Sequence, residues 1–125
     1  MPWLRTLLSP PLRAFLRGVE WVGEITPGTR AAARFGELGE ASCIGFPQGT
    51  IAGEASIFIG ERTLIGRHCT LSFGYGVSDD RAPRRGLVIG QRCVIGARST
   101  ITAHESIEIG DDVWFGQGVF ISDAS

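Results

Sequence analysis

The sequence predicts an all-β fold, a parallel β-helix built from six-residue repeats, on two observations. Large apolar residues recur at six-residue spacing, most of them followed by glycine: Ile59-Gly60, Ile65-Gly66 and Leu71-Ser72; Ile89-Gly90, Ile95-Gly96 and Ile101-Thr102; Ile109-Gly110, Phe115-Gly116 and Ile121-Ser122. Each group of three is preceded by a two-residue opening, Ile57-Phe58, Leu87-Val88 or Ile107-Glu108, which makes a coil of twenty residues. Such a period fits neither the 3.6-residue helical repeat nor strict strand alternation. It fits a solenoid in which each hexad supplies one short strand and a corner, and three hexads wrap one coil.

Two segments follow: residues 1–38, a helical cap and connector, and residues 39–125, the β-helix. In the first, Pro10 and Pro11 are placed to open a short helix. Leu12, Phe15, Leu16, Val19 and Val22 then share one face, with Arg13, Arg17, Glu20 and Glu24 on the others, and the helix is expected to end near Gly23 and Pro27. It has two possible roles. One is to cover the open N-terminal end of the β-helix, where an unpaired strand edge invites aggregation. The other is a weak membrane-surface contact, helped by Trp3, Arg5 and Trp21. Acids among the arginines favour the cover. The basic stretch from Thr29 to Phe35 reads as a solvated connector.

In the β-helix, Ile51 to Ser56 reads as the last hexad of an earlier coil, and residues 39–50 keep only its small residues, as a terminal coil should. The large residue opening each hexad points inward and stacks on its equivalent at roughly 4.8 Å. The glycine after it is expected where the corner needs a conformation that a Cβ resists. Four residues after the aliphatic comes a second, small inward site, held by Thr63, Cys69, Cys93, Ser99, Val113, Val119 and Ser125. Tyr75 and Glu105 break that rule, both in third hexads, so the third corner is expected to be wider or more open. Cys43 is expected at a small inward site as well. All three cysteines read as structural, because CxxC spacing is absent.

Residues 77–86, VSDDRAPRRG, interrupt the cadence after Gly76, the end of a third hexad. With Asp79, Arg81, Arg84 and Arg85, the insertion is either a cover for a bound acceptor or a solvated excursion.

Composition narrows the function classes. A net charge of −1 argues against a nucleic-acid partner. All 12 basic residues are arginine, and neither lysine nor asparagine occurs, as in a chain from a GC-rich bacterial genome. No stretch approaches the roughly twenty apolar residues of a membrane span. Scattered cysteines without a secretory signal point to a reducing, cytoplasmic setting, with the membrane periphery left open by the helix.

The repeats resemble those of the bacterial hexapeptide-repeat acyltransferases, left-handed parallel β-helix enzymes that move acetyl or longer acyl groups from a thioester carrier to a hydroxyl or amine. The stretch from Ile109 to Ser125, IGDDVWFGQGVFISDAS, is most similar to the subfamily of galactoside, maltose and cell-surface polysaccharide O-acetyltransferases. The resemblance implies acetyl-CoA or another acyl-CoA as cosubstrate, no metal, a saccharide or cell-envelope acceptor, and a homotrimer with Trp114 and Phe120 at its contacts. It also implies a catalytic histidine in a phrase I-x-D-x-x-H. That phrase begins here at Ile121-Ser122-Asp123, which places the histidine directly after Ser125. Residues 1–125 are therefore expected to be the N-terminal part of an acyltransferase, inactive alone. The alternative is a non-catalytic β-helix serving as a structural or oligomerisation module.

Asp123 is expected to border the site. Aligned through Ile109-Gly110-Asp111, the family's acceptor-binding places fall on Arg98, Ala103 and His104, none of the family's residue type, which leaves His104 and Arg98 as candidates on position alone. His68 reads as a surface residue near Arg98. Because His68 and His104 belong to different hexads of adjacent coils, a zinc site like that of the γ-class carbonic anhydrases on the same scaffold is not expected.

Overall fold

The computed structural model describes residues 2–75 and 82–123. Among the described residues, one helix, α1 (Pro2–Gly23), is followed by eleven short strands. They are β1 (Glu37–Leu38), β2 (Cys43–Ile44), β3 (Ile51–Ala52), β4 (Ile57–Ile59), β5 (Leu64–Ile65), β6 (Thr70–Phe73), β7 (Leu87–Ile89), β8 (Val94–Ile95), β9 (Thr100–Ala103), β10 (Ile107–Ile109) and β11 (Phe120–Ser122). Three parallel sheets result, ordered β1-β4-β7-β10, β2-β5-β8 and β3-β6-β9-β11. Every third strand thus stacks on the one a coil earlier, the topology of a parallel β-helix.

The register is the one the hexads dictate. Leu38, Ile59, Ile89 and Ile109 align on the first face, Ile44, Ile65 and Ile95 on the second, and Ile51, Leu71, Ile101 and Ile121 on the third. Ile57, Ile59, Leu71, Leu87, Ile89, Ile95 and Ile101 are buried almost completely. Each contributes about 1.5–3 kcal/mol of apolar burial.

The small inward sites have a second purpose. Thr63 Oγ1 donates to the Gly90 carbonyl at 2.7 Å, Cys69 Sγ to Gly96 at 3.2 Å, and Cys93 Sγ to Gly110 at 3.1 Å. Each reaches the carbonyl of a hexad glycine one coil on. That carbonyl faces the dry interior, so a short side chain with a donor satisfies it where valine would not.

Several expectations are corrected. The hexad glycines are not required by backbone conformation. At the first two corners the positive φ falls on the fourth residue of the hexad: Arg62, His68, Arg92, Arg98 and Asp112. Where another coil stacks beyond them the glycines are required by space, since a Cβ on Gly66 would lie 2.7 Å from Ala97 N, and one on Gly96 2.3 Å from Gly116 O, whereas Gly110 and Gly116 meet no described atom within 4 Å.

Strand pairing in the β-helix begins at Glu37, and the first coil keeps aliphatics Leu38 and Ile44 ahead of Ile51. Their cadence is hidden because the second hexad runs seven residues, from Ile44 to Thr50. Ser42, not Cys43, fills the inward site. Cys43 lies one position later, half-buried and paired with Leu64. In the third hexads the second inward residue comes two after the aliphatic, as with Ala103, so Tyr75 and Glu105 point outward.

The N-terminal segment also differs. Helix α1 starts at Pro2 and runs through Pro10 and Pro11. Its apolar side chains are exposed, so it does not cover the prism. The cover comes from the connector. Ile25 exchanges both backbone hydrogen bonds with Ile44 at 2.9 and 3.0 Å, an antiparallel bridge on the free edge of β2. Ala32 and Phe35, expected to be solvated, are buried in the core, because a 3-10 turn (Ala32–Arg34) folds the connector back onto it.

Candidate functional site

The third corner gathers side chains from two coils and from the returning limb of the insertion. Strand β9 delivers Ala103 inward, and the chain then turns through His104, Glu105 and Ser106. One coil later Asp123 follows β11, and its carboxylate holds that turn. Oδ1 accepts the His104 N–H at 2.6 Å, while Oδ2 accepts those of Glu105 at 2.9 Å and Ser106 at 2.8 Å. The Asp123 side chain is only 20% exposed. Burial raises its carboxyl, but the three backbone donors and the His104 side chain outweigh this, so it sits well below the usual carboxylate range.

The same oxygen, Oδ1, lies 3.4 Å from His104 Nδ1. A carboxylate beside Nδ1 favours the tautomer with its proton there and leaves the Nε2 lone pair available as a base. The Tyr75 ring tilts against the imidazole, with centroids 4.9 Å apart and planes at 39°. Tyr75 Oη donates to Glu105 Oε1 at 2.9 Å, and Arg84 Nη2 donates to Glu105 Oε2 at 2.9 Å and to the Glu105 carbonyl.

Arg84 reaches this corner because the insertion's return is pinned. Its backbone N–H donates to Ser56 Oγ at 3.0 Å, Gly86 N–H donates to the Ser56 carbonyl at 3.1 Å, and its guanidinium lies 5.6 Å from the Phe73 ring centroid. Arg85 turns the other way, onto Phe58, beside a polar depression of 350 Å³ on the first face. At least this limb of the insertion is fixed to the β-helix rather than a solvated excursion.

Of the residues singled out from sequence, the structure brings Asp123 and His104 together. Arg98 is not with them: it sits exposed on the second corner, at the same hexad position as His68, with its N–H bonded to Arg67 O. Asp79 and Arg81 lie outside the described residues. Tyr75, Arg84 and Glu105 are additional members of the cluster. Tyr75 and Glu105 carried a signal, since both violate the small-residue rule. Among the described residues no group of three or more His, Cys, Asp or Glu is arranged to hold a metal ion.

Residues 86–123 match the family model described as the hexapeptide repeat of succinyl-transferase. No curated protein matches the chain, and no solved structure does. The match covers the last two coils and the His104–Asp123 corner. With the parallel stacking, the match makes these coils similar to the hexapeptide repeats of acyltransferases.

Proposed function

We propose that the protein transfers an acyl group, acetyl from acetyl-CoA, to a hydroxyl of a saccharide or related cell-envelope acceptor held at the third corner. The observation that carries this reading is the convergence of Tyr75, Arg84, His104, Glu105 and Asp123 at one corner of a repeat matched to a transferase family. An aromatic face beside charged hydrogen-bonding groups suits a polyhydroxylated acceptor.

The chemistry needs a base. As the acceptor oxygen attacks the thioester carbonyl, its proton passes to an imidazole; the C–S bond then breaks and the departing thiolate takes that proton. The resemblance puts this imidazole on the residue after Ser125, in the phrase to which Asp123 belongs. A second reading makes His104 the base, favoured by its Nδ1 contact with Asp123. A left-handed winding, a homotrimer joined through Trp114 and Phe120, and a bacterial cytoplasmic setting belong to the same proposal; those two side chains are 76% and 71% exposed.

The test is acceptor-dependent thiol release from acetyl-CoA. It is measured on the 125-residue chain, on the chain continued through the codons that follow, and on His104→Ala of each. Release only from the longer chain supports a base beyond Ser125, and release from the shorter chain abolished by His104→Ala supports His104. Release from neither, with a genuine stop codon, would leave a structural module.

A further inference from the structure

The observation left over by the acyl-transfer reading is helix α1. From Trp3 to Val22 its large apolar side chains are 38% to 76% exposed. At 100° per residue, Leu4, Leu8, Phe15, Val19 and Val22 form one broad stripe, and the apolar surface covers roughly half the circumference. Arg13 and Arg17 occupy the opposite side, and Arg5 lies at its border. Glu20, the one acid within the helix, is held by Arg67 at 2.9 Å, so the remaining charge of the helix is basic. Trp3 and Trp21 stand about five turns apart at the same angle, between the apolar stripe and Arg17. The helix is not both long and apolar enough to cross a bilayer.

We propose that α1 lies in the plane of an anionic lipid surface, with its broad apolar face in the acyl region, both tryptophans at the headgroup level and its arginines against lipid phosphates. Charge complementarity argues for this occupant, because an exposed basic face attracts anionic headgroups. Breadth argues against a second copy. A helix-pairing seam uses a narrow stripe of two positions in seven, whereas half a circumference, interrupted by Pro10, Pro11 and Gly18, would stay largely uncovered in a dimer.

The experiment uses the 125-residue chain carrying Trp114→Phe, so that Trp3 and Trp21 are the only tryptophans, excited selectively over Tyr75. It is mixed with phosphatidylcholine vesicles with and without phosphatidylglycerol. The expected result is co-sedimentation about tenfold stronger with phosphatidylglycerol, a blue shift of emission, weakening by salt, and loss in the double variant Leu12→Asp, Phe15→Asp. Equal binding to both vesicle types, or binding that survives the double variant, overturns the proposal. So does absence of vesicle binding together with a self-associated state in sedimentation equilibrium that the double variant breaks.

Discussion

Asp123 reaches back one coil to His104: a single carboxylate oxygen lies 2.6 Å from the His104 backbone nitrogen and 3.4 Å from its Nδ1. One residue thus fixes both the turn that carries the imidazole and the side of the ring that faces it. This depends on the parallel register, because Ile121 stacks on Ile101 and places residue 123 beside residue 103.

Replacing Asp123 with Asn puts an amide where three backbone N–H groups need acceptors. Amide exchange at residues 104–106 is expected to rise at least about tenfold, with little change in the first coils. The wild-type carboxyl is depressed in the folded state, so its contribution is fully present above the unfolded pKa, near 3.9, and is lost as pH falls through that value toward the lower folded one. Protection at these amides should therefore persist at pH 5 and fail in strong acid; loss already near neutrality would contradict this account.

Thr63→Val keeps the shape of the inward site and removes its hydroxyl. The Gly90 carbonyl and the Cys93 N–H then lose a buried partner, at a cost of about 1–3 kcal/mol in denaturant unfolding. Thr63→Ser, which keeps the hydroxyl, should cost clearly less, whereas a near-neutral Thr63→Val beside a destabilised Thr63→Ser would show that the methyl, not the hydroxyl, matters.

The same substitution should act with opposite sign at two glycines. Gly66→Ala drives a Cβ against the Ala97 backbone and should cost about 1–3 kcal/mol, whereas Gly18→Ala meets no atom within 4 Å and should increase helix content in circular dichroism.

Cys43 should be a poor nucleophile. Burial first, then the charge of Glu24 and a hydrogen bond to it, push its thiol up to about 11. Its reaction with a disulfide reagent near pH 8 is expected to run roughly two orders of magnitude slower than that of a free cysteine. Since the folded value lies above the model-compound 9.0, its contribution to stability is intact below that pH and is lost between 9.0 and about 11. A Cys43→Ala variant should therefore show a shallower alkaline fall in melting temperature.

The coils were legible wherever the six-residue cadence is unbroken, because each aliphatic has one inward slot and a shift of register would expose it. The first coil was obscured by one extra residue between Ile44 and Ile51, which moved Cys43 out of its expected slot. At the corner, Asp123 and His104 were readable as candidates, and Tyr75 and Glu105 as exceptions. Arg84 was readable only as one charge of an insertion that could cover an acceptor, and its contact with Glu105 was not, since its place depends on Ser56 pinning the insertion's return, a contact across 28 residues. The helix was misplaced because paired prolines favour a helix start, and this helix runs through them.

Acceptor-dependent release of coenzyme A from acetyl-CoA tests the central claim most directly, measured on the chain continued through the codons after Ser125 beside its Asp123→Ala variant. The account predicts turnover with a saccharide acceptor and a loss of about a hundredfold or more in the variant, the scale of a misplaced catalytic base. Turnover unaffected by Asp123→Ala would contradict the third-corner site, and no turnover with any acceptor would contradict acyl transfer itself.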